Sequence, residues 1–211
     1  MYWCLPFEGG YVLAVADCTG HGVPGAFITL VASGALHHAL DQTPDAEPAA
    51  LIKSMNYFIK EILAQYTHDS PSDDGLEIGV CRISEKNGGL DFAGARFSLW
   101  HSINGKMREI KGDKTGIGYC NVPLTLNLAT PHVSTKEDSQ FYMFSDGFND
   151  QIGGDKGRGF GKRRMLDLLT RHADKTMSNQ REAIQKAFTG YQGDELSRDD
   201  LTMVGFKLEF I

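Results

Sequence analysis

Residues 12–26 constrain the fold more than any other part of the sequence. Their first half is an apolar run of strand length that ends at Asp17. Three glycines then turn the backbone, and Pro24 suits the first turn of a helix whose apolar residues recur at helical spacing. The pattern predicts a carboxylate in a crevice between a strand and a helix, where metal or phosphate chemistry is common. The alternative is an aspartate that only caps the helix.

The composition predicts one globular domain. Of the 211 residues, 41% are hydrophobic, and no linker or repeat interrupts the chain. A net charge of −6 argues against nucleic-acid partners and anionic membrane surfaces. The sequence contains no run of about 20 uninterrupted apolar residues, the length that a membrane-spanning helix needs. The four cysteines are widely spaced and form no CxxC pair, which favours a reducing, cytoplasmic location.

The remaining periodicities predict helices and antiparallel strands. Helices are predicted from Pro24 to about residue 40 and over residues 49–66, 163–173 and 179–188. Strands are predicted over residues 1–7, 76–84, 90–97, 98–103, 106–110, 140–145 and 201–210, with a weaker pattern at 124–129. This succession indicates an α+β layered sandwich with antiparallel sheets rather than a parallel doubly wound sheet.

Two further carboxylates repeat the placement of Asp17 beside a strand. Asp146 directly follows the strand predicted over residues 140–145, and Asp199 directly precedes the last predicted strand. Carboxylates without a companion Cys/His cluster select hard cations, so the sequence favours Mg²⁺ or Mn²⁺ over zinc.

Three segments, DCTGHGVPGA, SDGFND and SRDDLTMV, resemble in order and spacing the motifs of a known enzyme family. They are similar to the metal-dependent protein phosphatases of the PPM (protein phosphatase 2C) superfamily, in its bacterial SpoIIE-type branch. The resemblance covers nearly the whole chain. It implies an α-β-β-α layered sandwich in which residues 1–211 form one phosphatase domain.

The resemblance also implies a site for two metal ions, Mn²⁺ or Mg²⁺. Asp17 would bridge them and the backbone carbonyl of Cys18 would be a further ligand. Asp146 and Asp199 would complete the coordination of the first ion, and Asp200 would lie beside these ligands. Asp150 is either a ligand of a weaker third ion or a solvated loop carboxylate.

The implied reaction is hydrolysis of a phosphoserine or phosphothreonine in a protein. A water between the two metal ions would attack phosphorus in line, without a covalent phosphoenzyme. Cys18 is therefore expected to provide a carbonyl and packing rather than a thiolate. His21 either protonates the leaving serine oxygen or has a structural role in the turn.

The expected substrate is a phosphorylated STAS-domain protein of the anti-anti-sigma-factor type. The resemblance implies a sensor domain upstream in the same polypeptide, and a homodimer is an open alternative to a monomer. The basic residues 156–164 either steer an acidic phosphoprotein or form a solvated helix face. The alternatives to a phosphatase are a catalytically silent module that binds a STAS protein and a metal phosphoesterase that acts on nucleotides or nucleic acid.

The start of the chain gives a last expectation. SpoIIE-type relatives supply a ligand of the second metal ion from an Asp in a Gly-Asp-aromatic-Tyr motif. If Tyr2 matches the tyrosine of that motif, this Asp falls before Met1, and the domain is expected to be excised from a longer sensor protein and to lack its first strand. Glu8 is no substitute, because its turn lies at the opposite end of the hairpin from Asp17. The second metal ion is then expected to bind weakly.

Overall fold

The structure is a computed structural model that describes residues 1–20, 22–67, 69–84, 88–135 and 138–208. The chain divides into two compact units. The first consists of Met1–Leu99 and Lys111–Thr135, and the second of Trp100–Ile110 and Lys136–Glu209.

The first unit is built on a five-stranded antiparallel sheet. In spatial order its strands are β1 (Tyr2–Phe7), β2 (Gly10–Cys18), β3 (Leu76–Ser84), β4 (Gly89–Ala95) and β7 (His132–Ser134). Two helices, α1 (Gly22–Gln42) and α2 (Pro48–Ile62), contribute to the same hydrophobic core as the strands.

Local chemistry explains where α2 begins and which face α1 buries. Glu47 caps α2 by accepting hydrogen bonds from the N–H groups of Ala49 and Ala50, at 3.1 and 2.6 Å. By length and composition alone, α1 could cross a membrane, and 33% of the relevant stretch is buried in the fold. A core helix passes the same test, and the buried residues of α1 are Gly25, Ile28, Ala32, Ala35, Leu36 and Ala39.

The second unit is built on a four-stranded antiparallel sheet. In spatial order its strands are β11 (Met203–Phe206), β8 (Gln140–Phe144), β5 (Ser98–Ile103) and β6 (Lys106–Lys111). Three helices, α3 (Gly147–Asp150), α4 (Gly161–Arg171) and α5 (Met177–Gln192), and a short hairpin of β9 (Ile152–Gly153) and β10 (Arg158–Gly159) complete it. Its core is largely aromatic: Phe148, Phe160 and Phe188 make edge-to-face contacts.

The α+β prediction with antiparallel sheets is confirmed, and one predicted strand is wrong. Residues 124–129 are irregular. At the start of this segment the side chain of Asn56 on α2 donates to the carbonyls of Pro123 and Leu124, at 3.0 and 3.3 Å, so these carbonyls bond to a side chain rather than to a neighbouring strand. The last strand is shorter than predicted, spanning Met203–Phe206, and residues 209–211 lie outside the described residues. The sequence did not predict β7, α3 or the β9–β10 hairpin.

Candidate functional site

Asp17 lies near the end of β2, as its sequence context predicts. It is half-buried and sits directly opposite Glu77 on the antiparallel neighbour β3, followed by the pair Cys18 and Leu76. Directly opposed residues of antiparallel strands project from the same face of the sheet. Two carboxylates of the first unit therefore share one face at this end of the sheet.

The turn after Asp17 is fixed by Thr19. Its backbone N–H donates to the carbonyl of Gly75 at 2.9 Å, and its hydroxyl accepts from the N–H of Gly75 at 3.2 Å. The same hydroxyl lies 3.0 Å from the hydroxyl of Tyr119. A Cβ at Gly75 or Gly116 would come within 2.8 Å of the Tyr119 ring, so only glycine leaves room for this ring.

Helix α2 holds the segment that carries Tyr119. The buried Lys60 donates through Nζ to the carbonyl of Tyr119 at 2.6 Å, and burial lowers the pKa of Lys60 despite the opposing influence of Cys120 and Asp73. Asn56 accepts from the N–H of Gly118 at 2.9 Å. The polar face of α2 thus supports the turn next to Asp17 through Tyr119.

Cys18 has the properties of a protonated, structural thiol. Burial, the largest cause, raises its pKa to about 12. A thiol in this state is a poor nucleophile, and the backbone carbonyl of Cys18 as a metal ligand stays a prediction. His21, the other candidate in this motif, lies outside the described residues.

Asp146 lies in the second unit, between the end of β8 and the start of α3. It is exposed, and its side chain makes no hydrogen bond that caps α3. The preceding residue, Ser145, is buried and bonded to the segment that leads into β11, the strand that pairs with β8. Its hydroxyl donates to the carbonyl of Asp200 at 3.2 Å and accepts from the N–H of Thr202 at 3.1 Å.

Asp199 and Asp200 pack directly against this turn. A Cβ placed on Gly147 would lie 2.6 Å from the Asp200 carbonyl oxygen and 3.4 Å from the Cβ of Asp199. Asp200 donates its N–H to Oδ1 of Asp199 at 2.7 Å. The predicted ligands Asp146 and Asp199 are therefore brought together within this unit.

The loop that carries Asp199 has a second anchor, Gln151. This buried side chain donates to the carbonyl of Leu196 at 3.0 Å and accepts from the N–H of Arg198 at 3.3 Å. Asp150 is exposed at the end of α3, and its N–H donates to the carbonyl of Asp146 at 3.1 Å. Sequence reasoning identified neither Gln151 nor Ser145 as supports of the site.

The donor chemistry of these residues fits a hard divalent cation. Asp17, Asp146, Asp199 and the Cys18 carbonyl offer only oxygen, the donor that Mg²⁺ and Mn²⁺ prefer. None of the ion pairs formed among the described residues includes Asp146 or Asp199. Across the same described ranges, no group of three or more His, Cys, Asp or Glu side chains is positioned to hold a metal ion. The turn that carries Asp146 packs against the segment that carries Asp199 within the second unit, and Asp17 belongs to the first unit.

Two members of the basic segment have structural partners. Lys162 pairs with Glu109 at 2.9 Å and lies 4.4 Å above the ring of Trp100. Arg164 donates to the carbonyl of Phe160 at 2.7 Å and stacks on Tyr191. These contacts give Lys162 and Arg164 structural roles on α4, whereas Lys156 and Arg158 precede this helix, in a turn and in β10.

Comparison with known proteins decides the family. The model of the family described as Stage II sporulation protein E (SpoIIE) matches residues 8–209. The chain belongs to the SpoIIE family. A search of curated protein sequences gave no significant match.

Solved structures of PP2C domains show the same fold. The SiaA-PP2C domain of Pseudomonas aeruginosa is 32% identical, with a TM-score of 0.89, over 99% of this chain and 80% of that one. The phosphatase domain of SpoIIE from Bacillus subtilis, solved with a fragment of its regulatory domain, has a TM-score of 0.71 at 16% identity and covers 97% of this chain and 57% of that one. The RsbU and RsbW domains of a Mycobacterium tuberculosis protein have a TM-score of 0.72 at 15% identity, and the match covers 97% of this chain and 53% of that one. The predicted PPM-type α+β fold and the SpoIIE-type branch are both confirmed.

Proposed function

We propose that this SpoIIE-like phosphatase domain hydrolyses phosphoserine or phosphothreonine on a STAS-domain regulatory protein and depends on Mn²⁺ or Mg²⁺. The observation that carries the proposal is the packing of the Asp146–Gly147 turn against Asp199, which Ser145 supports through its bonds to Asp200 and Thr202. Membership of the SpoIIE family supports phosphatase chemistry and a role in partner-switching regulation.

The chain's own residues would hold the cations, and Cys18 would not act as a nucleophile. By the family resemblance, the cation ligands would be Asp17, the Cys18 carbonyl, Asp146 and Asp199, with Asp150 at a weaker position. When bound, the divalent cations would supply charge to the phosphoryl oxygens and lower the pKa of a water nucleophile. Because Cys18 stays protonated, no side chain of this motif competes as a thiolate nucleophile.

The supporting residues set the orientation of these ligands. Ser145 and Gln151 fix the two segments that carry Asp146 and Asp199, and Thr19 fixes the turn that follows Asp17. Preorganised ligands bind a cation without first having to lose side-chain and loop freedom, and changes in such supports typically weaken metal affinity by about 10–100-fold. We further propose that the domain acts in the cytoplasm behind a sensor domain of the same polypeptide.

Phosphate release from candidate substrates tests the proposal. Phosphorylated STAS proteins from the same genome are incubated with the chain and Mn²⁺, and the mass of each substrate is followed by mass spectrometry. We expect loss of one phosphate from at least one STAS protein, and no loss after chelation of the metal with EDTA. Binding of the phosphorylated STAS protein without any phosphate loss would instead show a catalytically silent binding module. Faster turnover of nucleotides than of every phosphoprotein would also contradict the proposal.

A further inference from the structure

Arg96 adopts a backbone conformation that arginine rarely takes. Its φ is +52°, in the left-handed region that favours glycine. The conformation is imposed by the segment beside it, because Arg96 donates its N–H to the carbonyl of Asp113 at 2.8 Å and Asp113 donates to Gly94 at 2.7 Å. Strain of this kind persists where the surrounding structure overdetermines it, and it is frequent at functional sites.

The turn places the Arg96 side chain in line with Asp17. Ile78 on β3 pairs with Ala95 on β4, so the next positions along the two strands are Glu77 and Arg96. Nε of Arg96 lies 3.1 Å from Oε1 of Glu77, and Glu77 lies directly opposite Asp17 on β2. Asp17 on β2, Glu77 on β3 and Arg96, the residue that follows β4, thus form one row in the first unit.

The ion pair with Glu77 orients the Arg96 guanidinium but occupies only part of it. The ion pair with Glu77 uses the Nε edge, and 54% of the Arg96 side chain is exposed. The other arginine of this unit, Arg82, differs in both respects, because its Nε and Nη2 both bond to the buried carboxylate of Asp91. Arg82 is a structural cation, whereas part of the Arg96 guanidinium stays exposed next to Glu77, which separates it from Asp17.

We propose that Arg96 binds the phosphoryl oxygens of the substrate and that Glu77 is the positioning residue that aims its guanidinium. This inference rests on the proposed phosphatase function. A phosphomonoester is a dianion, and a site that presented only carboxylates would repel it until cations bind. The guanidinium fork matches phosphate oxygens in two-point geometry, and a lysine ammonium does not.

Kinetics and phosphate binding of Arg96 variants test this role. For Arg96→Gln, we expect KM for an aryl phosphate and the inhibition constant of inorganic phosphate to rise about 10–100-fold, as for loss of one charge-assisted hydrogen bond. The Mn²⁺ concentration that gives half-maximal activity should change little. Arg96→Lys should recover only part of the phosphate affinity. Arg181→Gln, at an exposed position of α5, is the matched control.

A glycine substitution separates ligand binding from backbone strain. Arg96→Gly suits the positive φ and removes the guanidinium, so we expect a melting temperature no lower than that of the wild type together with the same loss of phosphate affinity. Glu77→Gln should weaken phosphate binding less than Arg96→Gln does.

Binding of inorganic phosphate in the presence of Mn²⁺, measured by calorimetry, keeps this inference distinct from the proposed function. Phosphate binding that Arg96→Gln weakens, in a chain that hydrolyses no phosphomonoester, would support the phosphate site and contradict the phosphatase. Hydrolysis with KM and phosphate inhibition unchanged in Arg96→Gln would overturn the inference and leave the phosphatase standing. Absence of both hydrolysis and phosphate binding in the wild type would contradict both.

Discussion

The hydroxyl of Ser145 lies 3.1 Å from the backbone nitrogen of Thr202 and accepts its hydrogen, which joins the end of β8 to the segment leading into β11. The same hydroxyl donates to the carbonyl of Asp200 at 3.2 Å. One buried side chain therefore sets the spacing between the segments that carry Asp146 and Asp199.

Replacing Ser145 with alanine should separate these two segments. The change leaves the Thr202 N–H and the Asp200 carbonyl without this partner, so we expect the free energy of unfolding to fall by about 1–3 kcal/mol. The Mn²⁺ concentration for half-maximal activity should rise about 10–100-fold. Chemical denaturation and metal titration measure the two effects. Ser178→Ala, at an exposed position of α5, should change neither. An unaltered metal dependence in Ser145→Ala would contradict the role of this hydroxyl.

Gly147→Ala tests the close approach of the same two segments. The new Cβ would lie 2.6 Å from the Asp200 carbonyl oxygen, so the Asp199–Asp200 segment must move. We expect lower stability, by about 1–3 kcal/mol, and loss of most metal-dependent activity. Gly190→Ala is the control, because nothing lies within 4 Å of its new Cβ and alanine stabilises a helix interior by about 0.5–1 kcal/mol. Full activity in Gly147→Ala would show that the packing is not required.

These supports show what the sequence can and cannot predict. Asp17 and Asp146 could be identified from the sequence because each follows an apolar run, and the end of a strand is visible in local hydrophobicity. Ser145 and Gln151 act on residues more than 40 positions away, so their partners depend on which strands pair. Strand order is a property of the folded sheet and leaves no local pattern.

The same reasoning explains why Glu77 and Arg96 were missed. Asp17 and Glu77 meet because β2 and β3 pair in one register, although 60 positions separate them in the chain. The sequence does not indicate the positive φ of Arg96, since a left-handed backbone conformation is normally predicted only at glycine or asparagine. The predicted strand at 124–129 was wrong for a related reason, because the side chain of Asn56, far away in the sequence, holds the start of this segment through the carbonyls of Pro123 and Leu124.

Removing the Tyr119 hydroxyl should loosen the turn after Asp17. Tyr119→Phe keeps the ring between Gly75 and Gly116 and deletes only the contact to Thr19. We expect a loss of about 1 kcal/mol in unfolding free energy and faster hydrogen exchange at the Thr19 amide, which donates to Gly75. Tyr57→Phe, at a side chain that is 52% exposed, is the control. Unchanged exchange at Thr19 would exclude Tyr119 as a support of this turn.

His101 should make the stability of the second unit depend on pH near neutrality. Burial, reinforced by the nearby positive charge of Arg108, lowers its pKa from the ordinary value of 6.5. Its Nε2 bonds to Ser139 Oγ at 3.0 Å, and its ring stacks on Phe141. Because the unfolded chain binds a proton near pH 6.5 and the folded chain only at lower pH, acidification below 6.5 favours unfolding.

Denaturation at a series of pH values measures this contribution. Between pH 7 and 5, we expect the wild type to lose more stability than His101→Gln does, and above pH 7 the difference between them should be constant. His37→Gln, at an exposed position of α1, should follow the wild type. Parallel curves for His101→Gln and the wild type below pH 6.5 would show that His101 gives no such dependence.

The central claim is that Asp146 and Asp199 hold a cation required for phosphate hydrolysis. Mn²⁺-dependent hydrolysis of an aryl phosphate by the wild type, Asp146→Asn and Asp199→Asn tests it most directly. Each substitution keeps the side-chain shape and removes one negative ligand, so we expect activity to fall by at least about 100-fold, more than for a change in a supporting residue. Asp194→Asn, on an exposed loop, should retain wild-type activity. Equal rates for the wild type and both site variants at every Mn²⁺ concentration would contradict the metal-dependent phosphatase.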